Sequence, residues 1–335
     1  MGQPFSSMIP PPSSSELIDI AFRRARKAGA AAPKAGPPEL KVKVKEGARV
    51  SCAGGVVLSR LRKVLTSAPD FPSLHPFYYE LADILVGVGN VRKALAHVKW
   101  GEGMVARLMK EYLRRVRRAK SGREAAEARR AFYGRLSSIL RDLEPSLSLL
   151  REASLKLREL PSIDVSGVVV VVAGAPNVGK SSFVRCVSTA KPKVAPYPFT
   201  TRSVLVGHLR WRGVEVQVMD TPGLLDRPLH ERNPIERQAI ASLRHLAKAA
   251  IFIIDASETS GYSLEQQVNV YREISRELSS IPFVPALNKI DLAKVAQVER
   301  AKQLLGVGEV LKMVAIRCEG VKEVLEEALK LCGVG

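Results

Sequence analysis

The sequence predicts a doubly wound α/β domain with a mostly parallel sheet, preceded by an all-α helical bundle domain. The run Val168–Ala173 is β-branched and lacks polar alternation, which is typical of a strand buried on both faces of a parallel sheet. Two similar runs, Ala250–Ile254 and Phe283–Leu287, follow with helical stretches between them. This strand–helix alternation favours a doubly wound sheet. A Gly-rich phosphate-binding motif, Gly174–Ser181, comes directly after the first strand.

The pattern divides the chain of 335 residues into three segments. Residues 1–15 are rich in Pro and Ser, and we expect them to form a disordered tail. Residues 16–162 carry apolar positions at helical spacing, which predicts the bundle domain. Residues 163–335 carry the strand–helix alternation, so we expect the α/β domain there.

The clearest helices of the predicted bundle lie in its second half. Apolar residues recur at spacings of three and four in Met104–Ala119. A capping box opens the next predicted helix, 121–143, and another should occupy 147–160. The segment Lys41–Lys45 alternates strictly, which is compatible with a short strand, but five residues are too few to decide.

The positive charge is concentrated in the first half of the chain. The formal net charge is +19, and residues 1–166 hold 30 Lys and Arg against 16 Asp and Glu. A concentrated basic excess points to a polyanionic partner, either nucleic acid or an acidic membrane surface. The densest cluster, Arg114, Arg115, Arg117 and Arg118, wraps around a helix, and this favours RNA phosphates over a bilayer. A solvated helix end, favoured by the helix dipole, is the alternative interpretation of this cluster.

The four cysteines, Cys52, Cys186, Cys318 and Cys332, are scattered along the chain without a CxxC pair. This spacing supports neither a zinc site nor a disulfide framework, so we expect reduced thiols in a cytoplasmic protein. No apolar run approaches 18 residues, so no membrane span is expected.

The motif after the first strand fits GxxxxGK[ST], in the strand–loop–helix context that such a phosphate loop requires. Its glycines let the backbone approach phosphate oxygens, and N–H groups at the helix start face the negative charge. Lys180 should contact the β- and γ-phosphates, and the Ser181 hydroxyl should bind Mg²⁺. The predicted nucleotide contacts on this loop are Asn177, Val178, Gly179, Lys180, Ser181 and Ser182.

A second motif, Asp220-Thr-Pro-Gly223, follows another apolar strand about forty residues later. Asp220 should hold Mg²⁺ through water, and the Gly223 N–H should contact the γ-phosphate. Thr200 and Thr201 lie between the two motifs, and we favour Thr201 as the group that closes on Mg²⁺ and the γ-phosphate. The predicted catalytic residues are Lys180, Thr201 and Gly223, and the predicted Mg²⁺ ligands are Ser181, Thr201 and Asp220.

A third motif, Asn288-Lys289-Ile-Asp291, predicts guanine specificity. It ends a predicted strand, where open α/β sheets bind their ligands. The Asp291 carboxylate can accept hydrogen bonds from both N1–H and the 2-amino group of guanine, whereas adenine presents the opposite pattern. Ala315, after the last predicted strand, should offer its N–H to the guanine O6. The expected ligands are therefore GTP and GDP.

These motifs closely resemble those of Obg-related GTPases, and within that group the nucleolar GTP-binding protein (Nog) family of archaeal type. The segments that carry the resemblance are GAPNVGKSS, AKPKVAPYPFTTR, DTPGLLDRPLHERNPIE and, in the first half, FPSLHPFYYELADIL. The resemblance implies a P-loop GTPase domain behind a helical bundle and a role in large-ribosomal-subunit assembly, with ribosomal RNA or the pre-large-subunit particle as partner. One departure is Val314, which stands where the family has serine.

The resemblance also bears on hydrolysis. Ras-like enzymes orient the attacking water with a Gln just after DxxG, but here that position is Leu224, so we expect a slow intrinsic rate. A K⁺ ion held partly by Asn177 is one substitute that the resemblance allows, and a purely structural role for Asn177 in the loop turn is the other reading. Two rival functions stay open: a nucleotide-gated membrane-surface GTPase, and a stand-alone metabolic GTPase.

Overall fold

The structure is a computed structural model that describes residues 3–33, 36–195, 204–221, 223–227 and 231–334. The predicted Mg²⁺-closing residues Thr200 and Thr201 lie outside these ranges. The chain forms two compact units. We call Phe5–Phe71 with Val86–Arg158 the helical unit, and Met1–Pro4 with Pro72–Leu85 and Glu159–Gly335 the sheet unit.

Helices and strands follow the predicted order. In the described residues the helices are α1 Ser14–Ala30, α2 Pro38–Ser67, α3 Pro76–Val86, α4 Val88–Arg118, α5 Gly122–Arg158, α6 Lys180–Val187, α7 Pro234–Ala241, α8 Leu264–Glu277, α9 Val295–Leu305 and α10 Val321–Leu331. The strands are β1 Val168–Ala173, β2 Lys193–Ala195, β3 Val204–Trp211, β4 Val214–Asp220, β5 Ala249–Asp255, β6 Phe283–Asn288 and β7 Leu311–Lys312.

The helical unit packs α1, α2, α4 and α5 around a core of apolar stripes. The buried positions of α5 recur mostly at intervals of three and four, as a helix with one apolar face requires. They are Ala125, Phe132, Leu136, Leu140, Leu143, Leu147, Leu150, Ala153, Ser154 and Leu157. The prediction of an all-α first domain is confirmed.

One local expectation for this unit is wrong, and the open assignment of Lys41–Lys45 is resolved. The two helices expected at 121–143 and 147–160 are one continuous helix, α5, with Pro145 inside it. The stripe stays buried on both sides of Pro145, and this burial outweighs the cost of a proline within a helix, about 3 kcal/mol. Lys41–Lys45, compatible with a short strand, lies within α2 instead, because that helix buries Glu46, Val50 and Ala53 at helical spacing.

The expected disordered tail at 1–15 is also corrected for the residues that the structure describes from Gln3 onward. Phe5 is fully buried and Met8 is 4% exposed. The Phe5 ring lies 6.3 Å from the Phe71 ring. Ser13 forms a capping box with Glu16 at the start of α1. Two large apolar anchors within a Pro/Ser-rich segment are enough to hold it against the bundle.

The sheet unit contains a seven-stranded sheet with the strand order β2-β3-β4-β1-β5-β6-β7. β1 pairs in parallel with β4 and β5, and β5, β6 and β7 continue the parallel part. β2, β3 and β4 pair antiparallel at the other end. Every residue of β5 is buried, as the continuous apolar run predicted. The fold class is confirmed.

Pro72–Leu85 groups with the sheet unit, although its sequence position is inside the segment 16–162 that we assigned to the bundle. The Tyr78 hydroxyl donates to the carbonyl of Pro161 (2.9 Å) and accepts from the N–H of Ile163 (2.9 Å). Glu80 pairs with Arg244 (3.0 Å) and His245 (2.9 Å). These long-range polar contacts attach α3 to the sheet unit, and helical periodicity alone does not reveal them.

The thiol expectation is corrected as well. Cys186 in α6 and Cys318 after β7 form a disulfide, while Cys52 and Cys332 are free. The bonded pair is separated by 132 residues in sequence, with Cα atoms 5.5 Å apart. Cysteine spacing therefore could not predict this bond. In the described residues, no helix is both long enough and apolar enough to cross a membrane.

Two glycines of α4 provide a matched test of how the bundle packs. A Cβ at Gly101 would lie 2.5 Å from Cδ1 of Leu143, which is fully buried and cannot swing aside, whereas a Cβ at Gly103 would meet nothing within 4 Å. We expect Gly101→Ala to destabilise the helical unit by about 1–2 kcal/mol, because overpacking exceeds the gain in helix propensity. Gly103→Ala should stabilise it by up to about 1 kcal/mol. Urea unfolding followed by far-UV circular dichroism measures both, and equal shifts would contradict the packing of α4 on α5.

Candidate nucleotide-binding site

The phosphate loop connects the end of β1 to the start of α6 at Lys180. Gly174 has φ +135° and Gly179 has φ +107°, both in the region that favours glycine. A Cβ at Gly174 would lie 2.3 Å from the carbonyl oxygen of Ile253, and one at Gly179 would lie 2.2 Å from Nδ2 of Asn288. The two glycines of the motif are therefore required by backbone conformation and by close packing.

The Lys180 side chain folds back and bonds to the backbone of the phosphate loop. Its ammonium donates to the carbonyl oxygens of Gly174 and Ala175, each at 2.8 Å, and the residue is 7% exposed. These bonds hold the positive charge at the mouth of the loop, where phosphate oxygens would lie.

Ser181 and Asp220, two of the predicted Mg²⁺ ligands, lie within hydrogen-bonding distance of each other. The Ser181 hydroxyl donates to Oδ2 of Asp220 at 2.5 Å. Asp220 is 1% exposed, and burial raises the pKa of its carboxyl, while the Ser181 hydrogen bond opposes that shift. Its Oδ1 is buried without a hydrogen-bond partner among the described residues. A hydroxyl beside a carboxylate with an unsatisfied oxygen is a donor set that suits Mg²⁺, so these residues fit the ion that GTPase folds use.

The Gly223 N–H does not face open solvent. It donates to Oδ2 of Asp226 at 2.8 Å. The Gly223 carbonyl accepts from Nη1 of Arg232 at 2.6 Å, and Nη2 of Arg232 bonds the other Asp226 oxygen at 3.0 Å. The Gly174 N–H donates to the Leu225 carbonyl at 3.0 Å, which joins this segment to the phosphate loop.

A cavity of about 290 Å³ brings most of these groups together. Its lining consists of Pro176, Asn177, Gly179, Lys180, Ser181, Ser182, Asp220 and Asp226. All but Pro176 and Asp226 were predicted as nucleotide or metal contacts. Val178, the remaining predicted residue of the loop, is buried and presents its carbonyl to Asn288.

Asn288 connects the base motif to the phosphate loop. Its Nδ2 donates to the carbonyl of Val178 at 2.7 Å, and its Oδ1 accepts from the Ala315 N–H at 2.8 Å. The Ala315 N–H thus has an acceptor within the protein, and its contact with the guanine O6 stays a prediction. Lys289 has φ +57°, and its ammonium bonds Oδ2 of Asp255 at 2.9 Å.

Asp255 anchors Lys289 from a fully buried position. Burial by itself would raise the pKa of this carboxyl, but hydrogen bonds from Ser257 and Lys289 lower it below its ordinary value. The charged carboxylate therefore persists and fixes the position of Lys289 within the base motif. Asp291, the predicted guanine acceptor, has a side chain that is 21% exposed and lies 3.3 Å from the Arg317 guanidinium.

Comparisons with known proteins identify the family of this chain. The family model described as the NOG1 N-terminal helical domain matches residues 5–164, and the one described as nucleolar GTP-binding protein 1 (NOG1) matches residues 234–291. An uncharacterised protein of Methanocaldococcus jannaschii is 40% identical over 297 residues, which cover 88% of this chain and 83% of that protein. This chain belongs to the nucleolar GTP-binding protein 1 family.

Nucleolar GTP-binding protein 1 of Encephalitozoon cuniculi is 36% identical over 318 residues, covering 94% of this chain and 60% of that protein. The chain spans half the length of the Saccharomyces cerevisiae relative of the same name. A crystal structure of a Plasmodium falciparum protein described as nucleolar GTP-binding protein 1 is 34% identical over 52% of this chain and 90% of that one, with a TM-score of 0.45. Family membership together with the phosphate loop and sheet order makes this NOG1-family chain a GTP hydrolase.

Sequence reasoning missed three charged residues of the site. Asp226 and Arg232 stand within a segment that carried the family resemblance, but nothing in their spacing showed that they would meet at Gly223. Arg317 was missed because it meets Asp291 only after the loop that follows β7 folds back. The only available signal was a carboxylate three residues after the Gly of DTPG.

The predicted basic cluster lies on the last turns of α4. Arg114, Arg115, Arg117 and Arg118 are all exposed. Arg115 pairs with Glu111 and lies over the Tyr112 ring, 4.8 Å from its centroid. Arg117 and Lys43 line a groove of about 390 Å³ between α4 and α2.

The base motif generates a test of guanine specificity. Asp291→Asn replaces a double acceptor with an amide that also donates, so the guanine donors lose a partner while the 2-oxo group of xanthine gains one. We expect GTP affinity to fall by about 5- to 150-fold, the equivalent of roughly 1–3 kcal/mol, and xanthosine triphosphate affinity to rise. Titration of the variant with both nucleotides measures the exchange. Equal binding of GTP and ATP by the unaltered chain would refute the role of Asp291.

Proposed function

We propose that this chain couples GTP hydrolysis to assembly of the large ribosomal subunit, with the segment 16–162 binding ribosomal RNA and the segment 163–335 binding the nucleotide. Its membership in a family with members named nucleolar GTP-binding protein 1 is the observation that carries the proposal. The nucleolus is where eukaryotic ribosomal subunits are assembled, so the name points to this process. The cytoplasmic location expected from the sequence stays a prediction.

In the proposed nucleotide complex, the phosphate-loop N–H groups and Lys180 hold the phosphates, and Ser181 and Asp220 hold Mg²⁺. When bound, Mg²⁺ neutralises charge that develops between the β- and γ-phosphates. Asn288 keeps the loop and the base motif in register through its bonds to Val178 and Ala315. Asp291 accepts hydrogen bonds from the N1–H and 2-amino groups of guanine. Thr201, which lies outside the described residues, is proposed to close on the γ-phosphate.

A slow intrinsic rate follows from Leu224. The residue is 1% exposed and packs away from water, and a hydrocarbon side chain cannot orient the attacking water by hydrogen bonding. Another group must do so in the proposed mechanism. Asn177 is exposed and lines the phosphate cavity, and its amide oxygen is the proposed ligand of a monovalent ion such as K⁺ beside the loop.

The K⁺ role of Asn177 can be separated from a structural role in the loop. Asn177→Gly removes the amide but keeps a residue that adopts positive φ without strain. If the amide is a K⁺ ligand, turnover of the unaltered chain should be several-fold faster in KCl than in NaCl, and the variant should lose this difference while it still binds GTP. Steady-state phosphate release in both salts measures it. Identical turnover in the two salts would remove K⁺ from the mechanism.

The helical unit supports RNA binding through its charge and its surface. The α4 cluster is exposed, and Lys43 with Arg117 extends the positive surface across the groove to α2. Aromatic residues make up 5% of the chain, so stacking on unpaired bases is a minor contribution. Phosphate and shape contacts with structured RNA suit this surface better.

Salt dependence tests the RNA proposal. Each neutralised phosphate releases condensed counterions, with a slope of log affinity against log salt of about −0.7 to −0.9 per contact. Reversing Arg114, Arg115, Arg117 and Arg118 to Glu in the full chain should flatten that slope by about three units and weaken binding to many RNAs alike, because phosphates carry no sequence information. GTP binding should be unchanged.

A control of equal charge reverses Arg276, Lys294, Lys322 and Lys330 of the sheet unit, all exposed. This control should leave most of the salt slope in place. Acidic liposomes in the same assay test the membrane-surface alternative. Tight liposome binding with weak, salt-insensitive RNA binding would overturn the RNA proposal and favour that alternative.

A further inference from the structure

We propose that Asp226 occupies the γ-phosphate position on the Gly223 N–H and, held by Arg232, sets the preference of this chain for GDP over GTP. The inference rests on the proposed role of Gly223 as a γ-phosphate donor. Asp226 is thus a specificity-determining residue that acts when the nucleotide binds, before GTP is hydrolysed.

The first support is a closed ring of hydrogen bonds. The Gly223 N–H donates to one oxygen of Asp226 (2.8 Å), and Arg232 bridges the other oxygen (3.0 Å) to the Gly223 carbonyl (2.6 Å). Both backbone groups of Gly223 are therefore occupied by the same ion pair. Gly223 has φ +80°, a conformation in which glycine is not strained.

The second support is the place of the carboxylate. Asp226 lines the same cavity as Lys180, Ser181 and Asp220, the groups proposed to hold the phosphates and Mg²⁺. A γ-phosphate that enters this cavity meets a negative charge already bonded to the donor it needs. GDP lacks that phosphate and meets no such competition.

The third support is burial. The Arg232 side chain is fully buried and that of Asp226 is 11% exposed. Charge-assisted hydrogen bonds of this kind are about twice as strong as neutral ones, and removing one partner of a buried pair is costly. Water therefore does not readily replace Asp226 on Gly223. GTP must displace the carboxylate or forgo the Gly223 bond, and either one lowers its affinity relative to that of GDP.

The next ion pair along the chain provides a matched control. Arg227 and Glu236 pair at 3.3 Å, and neither residue lines the phosphate cavity. Glu236 forms the capping box of α7 with Asn233, and glutamine serves that position equally well. Glu236→Gln is thus the same carboxylate-to-amide change, ten residues away from Asp226 and outside the cavity.

The experiment measures dissociation constants for GDP and for a non-hydrolysable GTP analogue on the full chain with Mg²⁺. Asp226→Asn keeps the size of the side chain and removes its charge. We expect the ratio of GTP-analogue affinity to GDP affinity to rise about 10-fold or more, since a hydrogen bond to a charged group is replaced by a weaker one. GDP affinity should change less than about threefold, and Glu236→Gln should leave the ratio unchanged.

A second variant covers the case in which the unpaired Arg232 prevents folding. Asp226→Asn combined with Arg232→Gln makes the pair neutral on both sides and should raise the same ratio. An unchanged ratio in both variants would overturn the proposal, as would a loss of turnover without any change in the ratio. If the unaltered chain bound neither guanine nucleotide, the proposed function would fail at the nucleotide site itself, a result distinct from failure of the Asp226 assignment.

Discussion

The buried amide of Asn288 joins three segments of the sheet unit that sequence keeps far apart. It donates to Val178, 110 residues away, and accepts from Ala315, 27 residues away, with the side chain almost fully enclosed. A buried amide that has both of its partners stabilises one arrangement, and loss of either partner would leave a polar group unsatisfied. The spacing between the phosphate loop and the base motif depends on these two bonds. The disulfide between Cys186 and Cys318 holds the same loop after β7 against α6.

Most of the charged side chains near the Asn288 amide are held by hydrogen bonds or ion pairs within the protein. Lys180 is held by two carbonyl oxygens, and Lys289 by the buried Asp255. Asp226 is held by Arg232 and Gly223. Asp220 stands apart, because its Oδ1 has no partner among the described residues and burial raises its pKa. A divalent cation bound at this oxygen would stabilise the charged form of the Asp220 carboxylate.

In the helical unit the apolar and basic residues serve separate purposes. The stripes of α4 and α5 interdigitate so closely that Leu143 fills the space beside Gly101. The arginines at the end of α4 lie outside this core, and Tyr112 supports one of them from beneath. Reversing their charge can therefore test a surface function without opening the core.

The sequence by itself determined the features that depend on neighbouring residues in the chain. The β-branched run of β1, the glycines of the phosphate loop and the apolar stripe of α4 each meet a short-range physical requirement, and the structure has them where the sequence predicted. Short-range reasoning was wrong where distant contacts outweighed local preference. Phe5 and Met8 order a Pro/Ser-rich segment, and α5 passes through Pro145, because burial against the bundle outweighs the local cost. Only the tertiary structure decided that Asn288 meets Val178 and that Cys186 meets Cys318, since such pairings depend on how distant parts of the chain come together on folding.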